Sequence, residues 1–167
     1  MEQLEKLKTL SIRVRMFYAI ECLQKALIEK QLMDKIMSEI VIFLKTYTSS
    51  VKLDVWEKIA NEIAPSTIMD ENENNRFNEY EYISESDAIK LKNEYSLLPC
   101  YITDLIDAVI EVGVTNLYGG TDEYSPLTYE AVLNVVNLLL TNNITPPTIK
   151  TLPNFLFSEN DGWGRVF

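Results

Sequence analysis

The sequence predicts an all-α protein of about six helices in an antiparallel or stacked bundle, with an irregular aromatic tail packed on it. Apolar residues recur at steps of three and four in successive segments. The 5 Gly and 6 Pro cluster mostly after residue 98, which leaves long uninterrupted stretches for helices. Capping or breaking residues bound the segments. Because 47% of the 167 residues are apolar and 24% charged, we expect one globular domain, residues 1–167.

Three helices are expected in the first part of the chain. The first covers Leu10–Lys30, with Ser11 as a possible N-cap. The second covers Asp34–Tyr47, and its wide apolar face predicts burial on more than one side. The third covers Leu53–Ala64, and Pro65 is expected to stop it. Short connectors between the three favour an antiparallel helical layer.

Three more helices are expected further along the chain. Ser86 caps a helix from Asp87 to about Leu98, and the next helix covers Pro99–Leu117 before Gly119-Gly120. Ser125-Pro126 opens the sixth helix. Its valines, and those of the helix before it, leave strand as an alternative. The spacing of three and four residues favours helix for both.

The tail, residues 144–167, is expected to lack regular structure. Pro146, Pro147 and Pro153 prevent helix continuation. The tail is also too apolar to be free in solvent. We expect it to fold back on the helices through Leu152, Phe155, Leu156, Phe157, Trp163 and Phe167.

Charge is distributed unevenly along the chain. Residues 1–69 hold 10 Lys/Arg and 9 Asp/Glu, whereas residues 70–167 hold 5 Lys/Arg and 16 Asp/Glu, and the whole chain carries −10. Nucleic acids and anionic membranes require a basic footprint, so we expect neither as a partner. An acidic protein instead suits the basic surface of another protein. Plain solubility is the alternative explanation.

Residues 70–87 form an acidic segment, in which seven acids accompany a single base, Arg76. One interpretation is a recognition loop anchored by Tyr80 and Tyr82. The other is a solvated linker whose tyrosines tuck onto the body of the protein. In the recognition interpretation the charge comes from Asp70, Glu71, Glu73, Glu79, Glu81, Glu85 and Asp87.

A second candidate contact lies in the tail, at Trp163 and Arg165. Tryptophan and arginine are the residue types that dominate interface hot spots. Asn160-Asp161-Gly162 before them predicts a tight turn. In the structural alternative, Trp163 fills the end of the helical layer and Arg165 pairs with a carboxylate.

The common catalytic and metal-binding patterns are missing. Without histidine the chain has no Ser-His-Asp or Cys-His arrangement, and Cys22 and Cys100 alone cannot complete a zinc site. We therefore expect no enzyme, catalytic residue, metal or cofactor. Asp104 and Asp107 leave a carboxylate-only hydrolase as an alternative, although we expect both on a solvated or partner-facing side. No secretory signal or membrane span is apparent, which predicts a cytoplasmic protein with reduced cysteines.

A small, acidic, helical chain with Asn116-Leu117-Tyr118-Gly119-Gly120 and the stretch Phe157–Phe167 resembles the immunity proteins of bacterial toxin systems. The resemblance implies a cytoplasmic antidote that binds a cognate toxin domain, a nuclease being one candidate, and blocks its active site. The alternative function is a helical adaptor module that binds through an apolar groove rather than through charge.

Overall fold

A computed structural model describes residues 2–70, 76–149 and 152–167, and this part of the chain is helical without a named strand. The prediction of an all-α fold is confirmed, since six helices exceed ten residues. The helices are α1 (Glu2–Glu5), α2 (Ile12–Glu29), α3 (Lys35–Lys45), α4 (Leu53–Ile63), α5 (Pro65–Ile68), α6 (Glu85–Leu97), α7 (Cys100–Val114) and α8 (Pro126–Thr141). Short 3-10 turns occupy Lys6–Thr9, Thr46–Thr48, Phe77–Glu79 and Asn160–Gly162.

Helix α2 is the centre of the fold. It packs on α7 and α8, which also pack on each other, and α3 lies against it as well. Val14, Ile20 and Leu23 are fully buried although they point in different directions around the α2 axis. A helix that is apolar on most of its circumference belongs inside the protein, and α2 is covered accordingly.

Helix α2 also carries a buried arginine. Arg15 is 0% exposed, and its guanidinium donates to the carbonyls of Leu7, Leu10, Lys8 and Ser125 at 2.9–3.1 Å. Burial lowers the pKa of Arg15 to about 10, which still leaves it charged at neutral pH. This one side chain therefore ties the 3-10 turn before α2 to the start of α8.

The capping residues set where helices begin. Asp34 caps α3, because its Oδ1 accepts the Met37 N–H at 2.8 Å. Helix α6 begins two residues earlier than expected, because Ser84 rather than Ser86 is its N-cap. The Ser84 Oγ accepts the Asp87 N–H at 3.2 Å and donates to the Asp87 carboxylate at 2.6 Å.

Helix α5 was not expected from the sequence, in which Pro65 served only as a stop. Pro65 instead begins a new short helix. The Asp107 carboxylate of α7 accepts the Ser66 N–H at 3.1 Å and the Ser66 Oγ–H at 3.0 Å. The expectation that Asp107 lies on a solvated or partner-facing side is thus corrected, since it is half-buried and caps α5.

The tail folds back on the helices, as the sequence predicts, and it does so at the start of α2, although Leu156 stays exposed. The Phe155 carbonyl accepts the Ser11 N–H at 2.9 Å, and the Trp163 carbonyl accepts the Arg13 N–H at 3.3 Å. These carbonyls satisfy backbone donors that the start of a helix leaves without a partner. The Phe167 ring meets those of Phe17 and Phe155 at centroid distances of 5.7 and 5.3 Å.

Candidate protein-binding surface

The glutamate Glu62, near the end of α4, holds residues 81–83 of the acidic segment in place. Its carboxylate accepts the backbone N–H groups of Glu81, Tyr82 and Ile83 at 2.7, 2.9 and 3.0 Å. Three bonds from successive residues fix the local backbone, and hydrogen bonds to a charged acceptor are stronger than neutral ones. The stretch 81–83 is therefore ordered although it contains no helix.

The aromatic residues of the acidic segment lie partly against the body of the protein. Phe77 is buried, and the Tyr80 ring meets it edge-on at a centroid distance of 5.4 Å. Tyr80 also packs against the main apolar core, whereas Tyr82 is half-buried outside that core. Of the two predicted anchors, Tyr82 is therefore the one whose ring does not pack against the main apolar core.

The acidic side chains fall into two groups. Glu79 pairs with Arg76 at 2.9 Å, and Asp87 pairs with Lys90 at 2.8 Å. The hydrogen bonds from Lys90 and Ser84 lower the pKa of Asp87. Glu81 and Glu85 are exposed, and neither carboxylate pairs with a cation within the described residues. Their charge is therefore open to a partner.

The remaining predicted acids lie at the other end of the segment. Asp70 is exposed just after α5. Glu71 and Glu73 lie outside the residues that the structure describes, so their positions enter no further argument.

The tail residues Trp163 and Arg165 lie in a different part of the fold from the acidic segment. Trp163 is half-buried, and its carbonyl bonds to the start of α2. The Arg165 Nε lies 2.7 Å from the Glu159 Oε2, a pair within the tail itself. The acidic segment instead rests on α4 and α6. The structure thus places the acidic segment and the pair Trp163 and Arg165 on different helices rather than together.

Between α3 and α4 lies an apolar depression, which we call the α3–α4 groove and which the sequence did not predict. Two cavities of about 310 and 160 Å³ form it, and Phe43 and Ile59 line both. The larger is completed by Thr46, Ser49, Ser50, Lys52, Val55 and Trp56. The smaller is completed by Ile36, Glu39, Ile40, Ile63 and Leu91. The wide apolar face of the second predicted helix was its only signal in the sequence.

The acidic segment and the α3–α4 groove share their supporting helices. Ile63 lines the groove, and Glu62 immediately before it holds residues 81–83. Leu91 lines the groove from α6, one helical turn after Asp87 on the same face. Apolar surface and exposed carboxylates are therefore neighbours here, which is the arrangement of an apolar interface core with a charged rim.

The end of the groove at α6 is acidic. Glu39 lines it, and the Glu94 carboxyl of α6 meets the Asp34 carboxyl at the start of α3. Burial and the Asp34 carboxyl raise the pKa of Glu94. A carboxyl group that keeps its proton can donate it to the neighbouring carboxylate, so either a shared proton or a nearby cation stabilises the pair.

A third cavity, of about 490 Å³, lies between the connection 120–125 and the tail. Asp122, Glu123 and Asp161 line it together with Phe157. In the described part of the chain no group of three acidic or thiol side chains is arranged to hold a metal ion. The cavity therefore carries no functional assignment.

Comparison with known proteins identifies no relative, so a functional assignment depends on the surfaces described above. No family model matches the chain, and no curated protein or solved structure matches it either. Among the described helices, none combines the length and the apolar character needed to cross a membrane.

Proposed function

We propose that this protein is a non-enzymatic immunity or inhibitor protein that binds and neutralises a toxin domain with a basic surface, such as a nuclease domain, in the cytoplasm. The observation that supports it is the stretch 81–83 held by Glu62, with the exposed carboxylates of Glu81 and Glu85 in and just after that stretch. The free cysteines Cys22 and Cys100 fit the proposed compartment.

Charge and apolar contact have separate roles in this proposal. Exposed carboxylates attract a basic partner over distance and so raise the association rate. Buried apolar contacts in the interface core then slow dissociation. Because Glu62 fixes the backbone of residues 81–83 in advance, binding loses less conformational entropy than it would with a mobile loop.

The test begins with capture of the partner from a lysate of the source organism at low salt, followed by measurement of its affinity. The variant that reverses Glu79, Glu81 and Glu85 to lysine tests the site. The matched control reverses Asp104, Glu111 and Glu130, which are exposed on α7 and α8 and change the net charge equally. We expect the site variant to slow association at least tenfold more than the control does, about a 1.4 kcal/mol effect.

Three results would contradict the proposal. The two reversal variants could bind equally, which would reduce the charge to a solubility feature. A captured partner with an acidic surface would remove the electrostatic argument. Failure of the bound protein to inhibit the activity of its partner would exclude an antidote.

The α3–α4 groove supports a second candidate function, a helical adaptor that binds apolar segments without regard to charge. Salt separates the two candidates, because screening weakens charge-steered association and leaves apolar contacts largely unaffected. An association rate that falls steeply between low and physiological salt favours the inhibitor. A rate that stays constant favours the adaptor.

A further inference from the structure

The two walls of the α3–α4 groove have the spacing of a helix receptor. Ile36, Ile40 and Phe43 of α3 follow each other at steps of four and three, and Val55, Ile59 and Ile63 of α4 at steps of four. Each wall is therefore a continuous apolar stripe about 10–12 Å long, or two helical turns. Grooves of this kind accept the apolar face of one amphipathic helix.

The two ends of the α3–α4 groove carry side chains of opposite charge. The end at α6 has Glu39, with Asp34 and Glu94 in contact behind it. Lys52 lines the other end, beside the hydroxyl-bearing Ser49 and Ser50. A ligand that fits both ends must therefore be basic at one end and carry partial negative charge at the other.

Two lysines offset part of the charge at the acidic end, since Lys35 pairs with Glu39 and Lys90 also interacts with Glu39. The four carboxyl groups there, those of Asp34, Glu39, Asp87 and Glu94, outnumber these two cations. Lys35 lies 3.8 Å from Glu39 with both side chains mostly exposed, a geometry that contributes little to stability. Lys90 is paired with Asp87. The contact between Asp34 and Glu94 has no cation of its own among the described residues.

We infer that the α3–α4 groove binds one amphipathic α-helix of the partner protein, with a basic N-terminal turn at the Glu39 end and its C-terminus at Lys52. The orientation follows from charge, because the N-terminus of a helix is the positive end of its dipole and the C-terminus the negative end. The lysines or arginines of that first turn lie between Glu39 and Glu94. The apolar residues at steps of three and four contact Phe43 and Ile59. This inference rests on the proposed function, because it names the part of the partner that occupies the site.

The probe for this test is a phage-displayed library of helix-forming 18-residue peptides, selected against the full chain. We expect the enriched peptides to combine an apolar stripe with Lys or Arg in the first turn. The Ile59→Glu variant should bind them at least about 30-fold more weakly, the loss of one interface hot spot. Ile42→Glu is the matched control, because Ile42 is 65% exposed on α3 and outside the groove. If Ile59→Glu fails to fold, Val55→Lys replaces it.

The orientation has a separate readout. A nitroxide on the N-terminus of an enriched peptide should broaden the amide signals of Glu39 and Leu91 more than that of Lys52. Peptides with an acidic first turn, the opposite broadening pattern, or equal binding to Ile59→Glu would overturn the inference. So would a lack of enriched peptides, or a dimer of this chain that Ile59→Glu dissociates.

The captured partner separates failure of this inference from failure of the proposed function. If Ile59→Glu binds the partner like the native chain while reversal of Glu79, Glu81 and Glu85 weakens it, the groove inference fails and the inhibitor stands. If neither variant changes the affinity, both fail.

Discussion

Gly113 of α7 and Trp56 of α4 are in contact so close that a side chain at residue 113 has no room. A Cβ added at Gly113 would lie 2.7 Å from two carbons of the Trp56 six-membered ring. Trp56 itself is held between Phe43, stacked at 5.7 Å, and Tyr47, edge-on at 4.9 Å. Phe43 and Tyr47 thus restrict how the indole can move away from residue 113, and the indole lines the α3–α4 groove.

The Gly113→Ala substitution should destabilise the protein by about 1–3 kcal/mol, because overpacking exceeds the gain of about 1 kcal/mol in helix propensity. Urea unfolding measures the change. Gly119→Ala is the control, since no atom lies within 4 Å of a Cβ there, and its effect should stay within about 0.5 kcal/mol. Equal stability of the two variants would show that Trp56 can move.

The Gly164→Ala substitution should loosen the tail from α2. Gly164 has φ +76°, and an added Cβ would overlap Ser11. Gly120→Ala is the matched control, because φ there is +69° with open space around it, so it measures backbone strain alone, about 1–2 kcal/mol. We expect Gly164→Ala to cost more than this control and to accelerate hydrogen exchange of the Ser11 and Arg13 amides. Exchange that stays unchanged would argue against the tail as a cap of α2.

The Glu62→Ala substitution should release residues 81–83 while the helices stay folded. Their three N–H groups lose a charged acceptor, which should raise their hydrogen-exchange rates and lower stability by about 1–3 kcal/mol. The association rate with the partner should fall as well, since the acidic segment is no longer fixed. Glu57→Ala, which removes only a bond from the Tyr118 hydroxyl, should leave exchange at residues 81–83 unchanged.

The buried carboxyl of Asp107 should make stability depend on pH. Burial raises the pKa of Asp107 above its ordinary 3.8, although the bonds from Ser66 oppose this. A raised carboxyl pKa in the folded state favours the protonated form, so its contribution to stability is present below 3.8 and is lost as pH rises through the folded pKa. Relative to Asp107→Asn, the native chain should therefore lose stability as the pH rises above 3.8.

Urea unfolding of both chains from pH 3.8 upward checks the prediction for Asp107. Glu130→Gln, an exposed change on α8, gives the background from other carboxyl groups. A difference between native and Asp107→Asn that grows as pH falls would have the wrong sign and would contradict it.

The presence of the long helices could be predicted from the sequence, because local signals determine it. The α3–α4 groove and the role of Glu62 could not be predicted in this way. Asp34 caps α3 from within its own turn. The cap of α6 was predicted at Ser86, whereas the reciprocal bonding of Ser84 with Asp87 makes Ser84 the cap. The partner of α5, Asp107, is 41 residues away from Ser66, so no local pattern indicates that helix.

The α3–α4 groove was missed for the same reason as helix α5, because both depend on contacts between distant parts of the chain. The walls of the groove depend on the angle between the two helices, and the hydrophobic periodicity of either helix alone does not predict that angle. Glu62 is similar, because a half-buried glutamate on an amphipathic helix gives no sign that its acceptor atoms serve a segment about 20 residues later.

The bonds from Phe155 and Trp163 to the first turn of α2 also have a kinetic meaning. The central helix is made early in synthesis, but the carbonyls that complete its start belong to residues made more than a hundred positions later. Closing such a long loop delays folding. Until then the first backbone donors of α2 are without these partners. The hydrogen bonding of this first turn is therefore completed only after the tail has been synthesised.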